Sequence, residues 1–450
     1  TGKTTTTSAT ALLRILARRQ QGDIILLAAN THTAIDNLLR RIAGLEGSFR
    51  VTAAAEGLTL PAITLSKVHS STVQDPLGGG IEDFVSGSCA RFVGQCRRSS
   101  ILLIGGTTGA MLKMAAELGE RRPFKDAPGK FQANLLILDE ASMMVFPHFL
   151  SLATLIEATG DIMVAGDHRQ LAPIVAHDWE REDRPPAVVY QPFASAYQAI
   201  HNIAERPGMT ARMVLRSALR FTFRLPPLVR DLIGRIYQLD NIQLEGLARP
   251  HEAPEAAAGG FEKVWEGGTG MFLVLHNERR SSQSNAVEAQ IIQAILRAGA
   301  PVETGSMAIV TPHRAQRSLL RTLLREFEGP VDAIDTVERL QGGERSAIIV
   351  SATASDPSAI AANVEFILDL NRSNVAFSRA KDRLIVVCSE ALLDHIPADL
   401  EDYESAMLWK SLRALCSIQV GSVEVAGHRV RVLTPLIARA PAAAAAAVAA

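Results

Sequence analysis

The sequence predicts an α/β protein of at least two domains, each a parallel sheet with helices on both faces. Three observations predict it. The chain has 450 residues, more than one ordinary core holds at ~150 residues per domain. Short, wholly apolar runs alternate with helical stretches, the pattern of βαβ units. Polar residues gather directly after each apolar run, where ligands collect in parallel sheets. Apolar residues make up 47% and charged residues 21%, so large cores can form and global disorder is excluded. Lys plus Arg is 46 against 47 acids, a net charge of −1. A basic protein is thereby excluded, although a local basic channel is not. Cys89, Cys96, Cys388 and Cys416 are too few for a disulfide framework and lack zinc or iron–sulfur spacing, which fits a reducing, cytoplasmic setting. No run approaches the ~18 apolar residues of a membrane span, and no secretory leader is visible, so no membrane partner is expected.

The elements follow in order. Thr1-Gly2-Lys3-Thr4 and a run of hydroxyl residues lead into a helical stretch over Ala9–Arg19. Ile24–Ala29 reads as a strand buried on both faces. It ends at Asn30-Thr31, and Thr33-x-x-Asp36 has the spacing of a capping box opening a helix over Ala34–Ile42. Ile101–Ile104 is a second strand, ending at Gly105-Gly106-Thr107-Thr108. Leu135–Leu138 ends in Asp139-Glu140, and Ile162–Ala165 ends in Gly166-Asp167-His168-Arg169-Gln170-Leu171. The second half repeats the plan: Met307–Val310 before Thr311-Pro312-His313, a helical pattern over Gln316–Leu324, then Ala347–Val350 and Arg383–Cys388. Leu45–Arg98 reads as an insertion, an accessory lobe. Residues 176–192 form a charged connector bearing prolines, Pro250–Gly260 a low-complexity loop, and Ala440–Ala450 a disordered tail. His32, His168 and His313 each follow a strand and read as loop histidines.

Two places carry chemistry. Gly2-Lys3-Thr4 has the form of the last three positions of G-x-x-x-x-G-K-[ST]. In a complete loop, backbone N–H groups hold phosphate oxygens, the lysine neutralises charge and the hydroxyl ligates Mg²⁺. Asp139-Glu140 places two carboxylates at the end of an apolar strand, where they repel each other and lose water. A divalent cation offsets that cost. The assignment is Asp139 near Mg²⁺ and Glu140 orienting or deprotonating the attacking water. Gln170 would read the γ-phosphate by neutral hydrogen bonds.

The ordered set of blocks resembles the superfamily 1 helicases of the 1B group, the branch with the nonsense-mediated-decay RNA helicase and the eukaryotic replication helicase–nuclease. Thr1-Gly2-Lys3-Thr4 matches the end of motif I. Ala29-Asn30-Thr31 with Ala34-Ile35-Asp36 resembles motif Ia, Gly106-Thr107-Thr108 motif Ib, Asp139-Glu140-Ala141-Ser142 motif II, and Gly166 to Leu171 motif III. Leu219, Phe223-Arg224 and Pro227 resemble motif IV, and Thr311-Pro312-His313 with Gln316 the next block. Thr336 to Glu344 resembles motif V, and Asn374 to Lys381 motif VI. The likeness spans residues 1 to about 388.

The resemblance implies two RecA-like P-loop NTPase domains with a nucleotide cleft between them. The expected division is 1–215, 216–395 and a C-terminal extension over 396–450. It implies ATP and Mg²⁺ as cofactors, with Thr1, Gly2, Lys3, Thr4, Thr5, Gln341 and Gly342 at the nucleotide and Thr4 with Asp139 at the metal. Glu140, Gln170, Arg224, Arg379 and Glu344 would be catalytic, the two arginines as fingers. Asn30, Thr31, Thr107, Thr108 and Thr311 would touch the backbone of single-stranded DNA or RNA. The implied activity is an ATP-dependent helicase or translocase with 5′ to 3′ polarity. Departures are Glu338 in place of Asp, Ser346 in place of an acid, and Phe223 in place of Tyr. Motif I lacks its first glycine and strand, so the chain reads as a fragment expected to bind ATP poorly. Three other readings share these residues: a nucleotide-gated clamp without unwinding, a small-molecule kinase or other phosphate-loop enzyme, and an inactive remnant.

Overall fold

The computed structural model describes residues 2–73, 75–120, 131–173, 194–205, 214–247, 259–340 and 343–436. Thr1, Gln341, Gly342, the 176–192 connector, most of the 250–260 loop and the Ala-rich tail lie outside the described residues. The chain divides into two compact units, Gly2–Ser217 and Ala218–Ala450.

The first unit is built on a six-stranded sheet: β1 (Ile24–Ala28), β2 (Ile63–His69), β3 (Ile81–Val85), β4 (Ile101–Gly106), β5 (Ala133–Leu138) and β6 (Ile156–Val164). Its order is β3-β2-β4-β1-β5-β6, and every pairing is parallel. The central strands are apolar throughout because alternate side chains feed opposite faces. Ile25 and Leu27 join Ala11, Ile15, Ile35, Leu38 and Leu39 in one core layer. Leu26 and Ala28 join Met111, Met114, Leu136, Leu138 and Phe149 in the other. Full burial of each such Leu or Ile contributes ~1.5–3 kcal/mol.

Four expectations change here. The first helix is Lys3–Arg18, opening directly at Gly2. The second is His32–Ala55, capped by Thr31 rather than by a Thr33–Asp36 box: Ala34 N–H donates to Thr31 Oγ1 at 3.2 Å. Residues 45–98 are not a separate lobe, since β2 and β3 extend the sheet itself. Their polar Ser66 and Lys67, although buried, break the apolar run that marks the central strands. β6 starts earlier than expected, and as an edge strand among the described residues it is only partly buried.

The second unit carries a two-stranded pair, β7 (Phe221–Thr222) with β8 (Glu245–Gly246), and a seven-stranded sheet. The sheet comprises β9 (Gly270–His276), β10 (Met307–Thr311), β11 (Val331–Thr336), β12 (Arg345–Ser351), β13 (Ala380–Ser389), β14 (Ile418–Val425) and β15 (His428–Thr434). Its order is β11-β10-β12-β13-β9-β15-β14, parallel from β11 to β9 and antiparallel beyond. Residues after 396 therefore supply two strands of this sheet, and Val420, Val430 and Val432 enter its core.

Candidate functional site

In the first unit the polar ends of the apolar strands form the site. Gly2 sits at φ 79°, a left-handed conformation glycine adopts freely, and caps the Lys3–Arg18 helix. From the first turn of that helix Lys3 reaches Glu140, its Nζ 3.0 Å from Oε2. Thr4 is half-buried and Thr5 exposed on the same turn. β5 delivers Asp139, 2% exposed, and its Oδ1 accepts the Glu140 N–H at 2.9 Å. Glu140 has φ 53°, uncommon for a residue with a side chain and typical of functional turns. Burial pushes the Asp139 carboxyl above its ordinary range, with Lys3 opposing the rise and Glu140 adding to it.

The loop after β6 is folded on itself. Gln170 donates its side-chain N–H to Asp167 Oδ2 at 3.0 Å, and Arg169 N–H donates to Asp167 Oδ1 at 3.1 Å. Gln170 is thus held by Asp167 here. His168 stacks on Tyr197 at 5.7 Å between ring centroids. A side chain at Gly166 would meet Tyr197 at 2.8 Å, so this close approach requires glycine.

Asn30 and Thr31 are exposed beyond β1. Thr107 is partly exposed, whereas Thr108, 9% exposed, is largely enclosed. Sequence reasoning missed Lys67, which lies buried beside these loops with its Nζ 2.5 Å from Asp36 Oδ1. The lone charge in Ile-Thr-Leu-Ser-Lys-Val-His was the available signal. Burial pulls the His32 imidazole below its ordinary value, and Lys67 adds to the shift.

In the second unit, residues from motifs IV, V and VI meet. Arg224 forms an ion pair with Glu344 and lies 3.5 Å from the Ser378 carbonyl oxygen, while Lys381 Nζ is 3.8 Å from Glu344 Oε2. Glu344 is thus engaged by two cations. Arg379, next in sequence, is 5% exposed. Thr311 is corrected as a direct backbone contact. It is fully buried, and its hydroxyl lies 3.0 Å from that of Thr353. The apolar character of β10 and its central place in the sheet pull the last residue of the strand inside.

A second group missed from sequence surrounds Glu288. Its carboxylate accepts from Ser351 Oγ at 2.5 Å and from Thr353 N–H at 2.9 Å, with His276 Nε2 at 3.2 Å. All four residues are fully buried, and Thr353 has φ 72°. Asn285-x-x-Glu288 has capping-box spacing, and Asn285 does cap the helix Ala286–Arg297. The Glu288 carboxylate, however, turns to the loop after β12.

Lys3, from a helix N-terminus, and Asp139 and Glu140, from the end of a parallel strand, bring together the residue types expected of a P-loop nucleotide hydrolase. The residues fit Mg²⁺: Asp139 is a buried carboxylate with an unfavourable charge, and Thr4 offers a hard hydroxyl oxygen. Among the described residues no three His, Cys, Asp or Glu side chains gather as ligands. Mg²⁺ takes one or two protein oxygens together with phosphates and water.

Family models described as AAA domains match residues 1–176 and 273–391. The chain is 24% identical over 412 residues to the DNA replication ATP-dependent helicase/nuclease JHS1 of Arabidopsis thaliana, covering 88% of this chain and 27% of that protein. It is 25% identical over 413 residues to DNA2 of Bos taurus, described as a DNA replication ATP-dependent helicase/nuclease, covering 88% and 35%. Over 117 residues it is 38% identical to the DNA polymerase alpha-associated DNA helicase A of Schizosaccharomyces pombe, covering 25% and 17%. The chain thus spans about a third or less of each of these relatives. In its motif order and in these matches the chain is similar to superfamily 1 helicases of the replication helicase–nuclease type.

Proposed function

We propose that this chain is the motor core of an intracellular ATP-dependent helicase, coupling hydrolysis to 5′ to 3′ movement along a single strand of DNA or RNA. One observation carries the reading: Lys3 paired with Glu140 at 3.0 Å, beside buried Asp139, at the end of a parallel strand. Lys3 and the backbone of the first helical turn bind the triphosphate, as helix N-termini favour anions. Thr4 and Asp139 would hold Mg²⁺, which would screen the phosphate charge. Glu140 takes a proton from the attacking water, and Gln170, freed from Asp167, senses the γ-phosphate. Arg224 and Arg379 supply guanidinium charge to the transition state. Gly2 and Thr5 line the nucleotide, Thr1, Gln341 and Gly342 are assigned to it from the motif resemblance, and Glu344 orients Arg224. Asn30, Thr31, Thr107 and Thr108 face the phosphodiester backbone, while Thr311 acts from within by fixing its loop. The AAA-domain matches and the helicase relatives support this reading.

The test is ATPase activity of the full-length gene product titrated with single-stranded DNA and RNA, beside strand displacement on tailed duplexes. Stimulation by single strands with displacement on 5′-tailed duplexes is expected. An ATPase indifferent to single strands would overturn the proposal.

A further inference from the structure

The loop Asn277–Ser284 joins the C-terminal end of β9 to the helix Ala286–Arg297 and carries Arg279-Arg280-Ser281-Ser282-Gln283-Ser284. Arg279 and Arg280 are exposed, and neither guanidinium has an ion-pair or hydrogen-bond partner among the described residues. Surface arginines usually lie along a neighbouring carboxylate, and here the adjacent acid is turned away. Glu278 is 6% exposed. Its Oε1 accepts the Arg280 N–H at 2.5 Å, and its Oε2 accepts from Asn285 Nδ2 at 3.1 Å and from the Ser355 hydroxyl. The other acids around the loop are also engaged. Asp356 accepts from Ser358 and Ala359 N–H at 2.9 Å, Glu390 pairs with Arg431 at 2.7 Å, and Glu288 is enclosed by its three donors.

The loop is rigidly rooted. Ser281 N–H donates to Ser355 Oγ, and the Ser281 carbonyl accepts the N–H groups of Ser355 and Asp356, all at 2.9 Å. Asn277 Oδ1 accepts the Arg429 N–H at 3.1 Å. Asn285 N–H donates to Gln316 Oε1 at 2.7 Å, and Gln316 lies in the helix Arg314–Leu323, directly after Thr311-Pro312-His313. One buried lattice therefore ties together the loops beyond β9, β10 and β12, on the edge of the sheet where ligands bind. Two unpaired guanidinium groups on a fixed base can bind phosphates with little ordering cost.

We infer that the loop Asn277–Ser284 is a phosphodiester-binding element of the second unit, with Arg279 and Arg280 as its two phosphate contacts. The inference rests on the proposed single-strand motor and adds residues that none of the motif blocks contains. Phosphate contacts of this kind serve DNA and RNA alike.

The experiment uses the full-length gene product and a fluorescent 20-nucleotide single strand, as DNA and as RNA, with binding followed by anisotropy from about 50 to 200 mM salt. Each phosphate contact on a single strand contributes a slope of about −0.7 in log K against log salt. Replacing both arginines, Arg279→Gln with Arg280→Gln, should therefore reduce the slope by about 1.4. At about 0.1 M salt that corresponds to about 25-fold weaker binding. Lysines at both positions should keep the slope, since a point charge suffices. Arg297→Gln, at the far end of the helix and paired with Glu326 at 2.7 Å, should keep both slope and affinity. A double glutamine variant that binds with unchanged slope and affinity overturns the inference while leaving the motor reading intact. A wild-type protein that binds no single strand at any salt overturns both.

Discussion

The lysine expected to hold phosphate pairs with the residue expected to activate water, and this has a measurable consequence. The Lys3–Glu140 pair is 3.0 Å long, with side chains 14% and 19% exposed. At an effective dielectric of about 20, the Coulomb attraction is about 5.5 kcal/mol. Desolvation of both groups cancels most of that, leaving about 1–2 kcal/mol. Incoming phosphate must displace Glu140 from Lys3 and so works against this net term. Glu140→Gln removes the competing anion and should tighten nucleotide binding about 5- to 30-fold, since 1.4 kcal/mol is tenfold. Turnover should meanwhile fall by about 10²-fold or more, as for a lost general base. The assay is titration of a fluorescent ATP analogue beside steady-state hydrolysis, on the full-length gene product. Lys3→Ala should weaken binding, and in the double variant the gain from Glu140→Gln should vanish. Unchanged or weaker nucleotide affinity in Glu140→Gln would refute the competition.

Other outcomes follow from the same geometry. Arg379→Ala should slow hydrolysis by about 10³-fold with little change in ATP affinity, read from single-turnover rates; an unchanged rate would remove the finger assignment. Glu288→Ala leaves the Ser351 hydroxyl, the Thr353 N–H and the His276 ring without their acceptor, and should cost about 3–5 kcal/mol in denaturant unfolding. A loss below about 1 kcal/mol would mean the lattice is not structural. Burial pushes the Cys416 thiol up to about 12, and Cys388 well above its ordinary value. A raised thiol pKa means that the neutral form is the folded one. The resulting stability is whole below the ordinary value of 9.0 and is lost as pH rises through about 12. At pH 8 both should resist alkylation until denaturant is added, as counted by mass spectrometry.

The parts of this molecule visible in its sequence are those with one physical cause. β1, β4, β5, β10, β12 and β13 are central parallel strands, and burial on both faces makes them apolar whatever surrounds them. Asp139 and Glu140 stood out because adjacent charges at the end of such a strand need a reason. β2 was hidden because Ser66 and Lys67 enter the core through partners distant in sequence, Leu103 and Asp36. The Glu288 lattice draws on residues from His276 to Thr353, and no local spacing announces it. The block around Thr311 resembles one that binds nucleic acid, which points to a surface contact. The burial of Thr311 depends on Thr353, whose left-handed backbone no sequence pattern signals.

The glycines closing β4 bear on how this sheet finds its alignment. β1 is Ile-Ile-Leu-Leu-Ala, and a slip by one residue against β4 would exchange one hydrocarbon for another with almost no polar penalty. Side chains at Gly105 or Gly106 would collide with Leu39 and Val68. The observed offset of β4 against β2 and against the helix His32–Ala55 brings the two bare positions beneath those bulky neighbours. A glycine pair thus acts as a vernier for otherwise interchangeable strands, and enlarging either residue should yield misaligned, slowly interconverting sheets rather than a simply weaker fold.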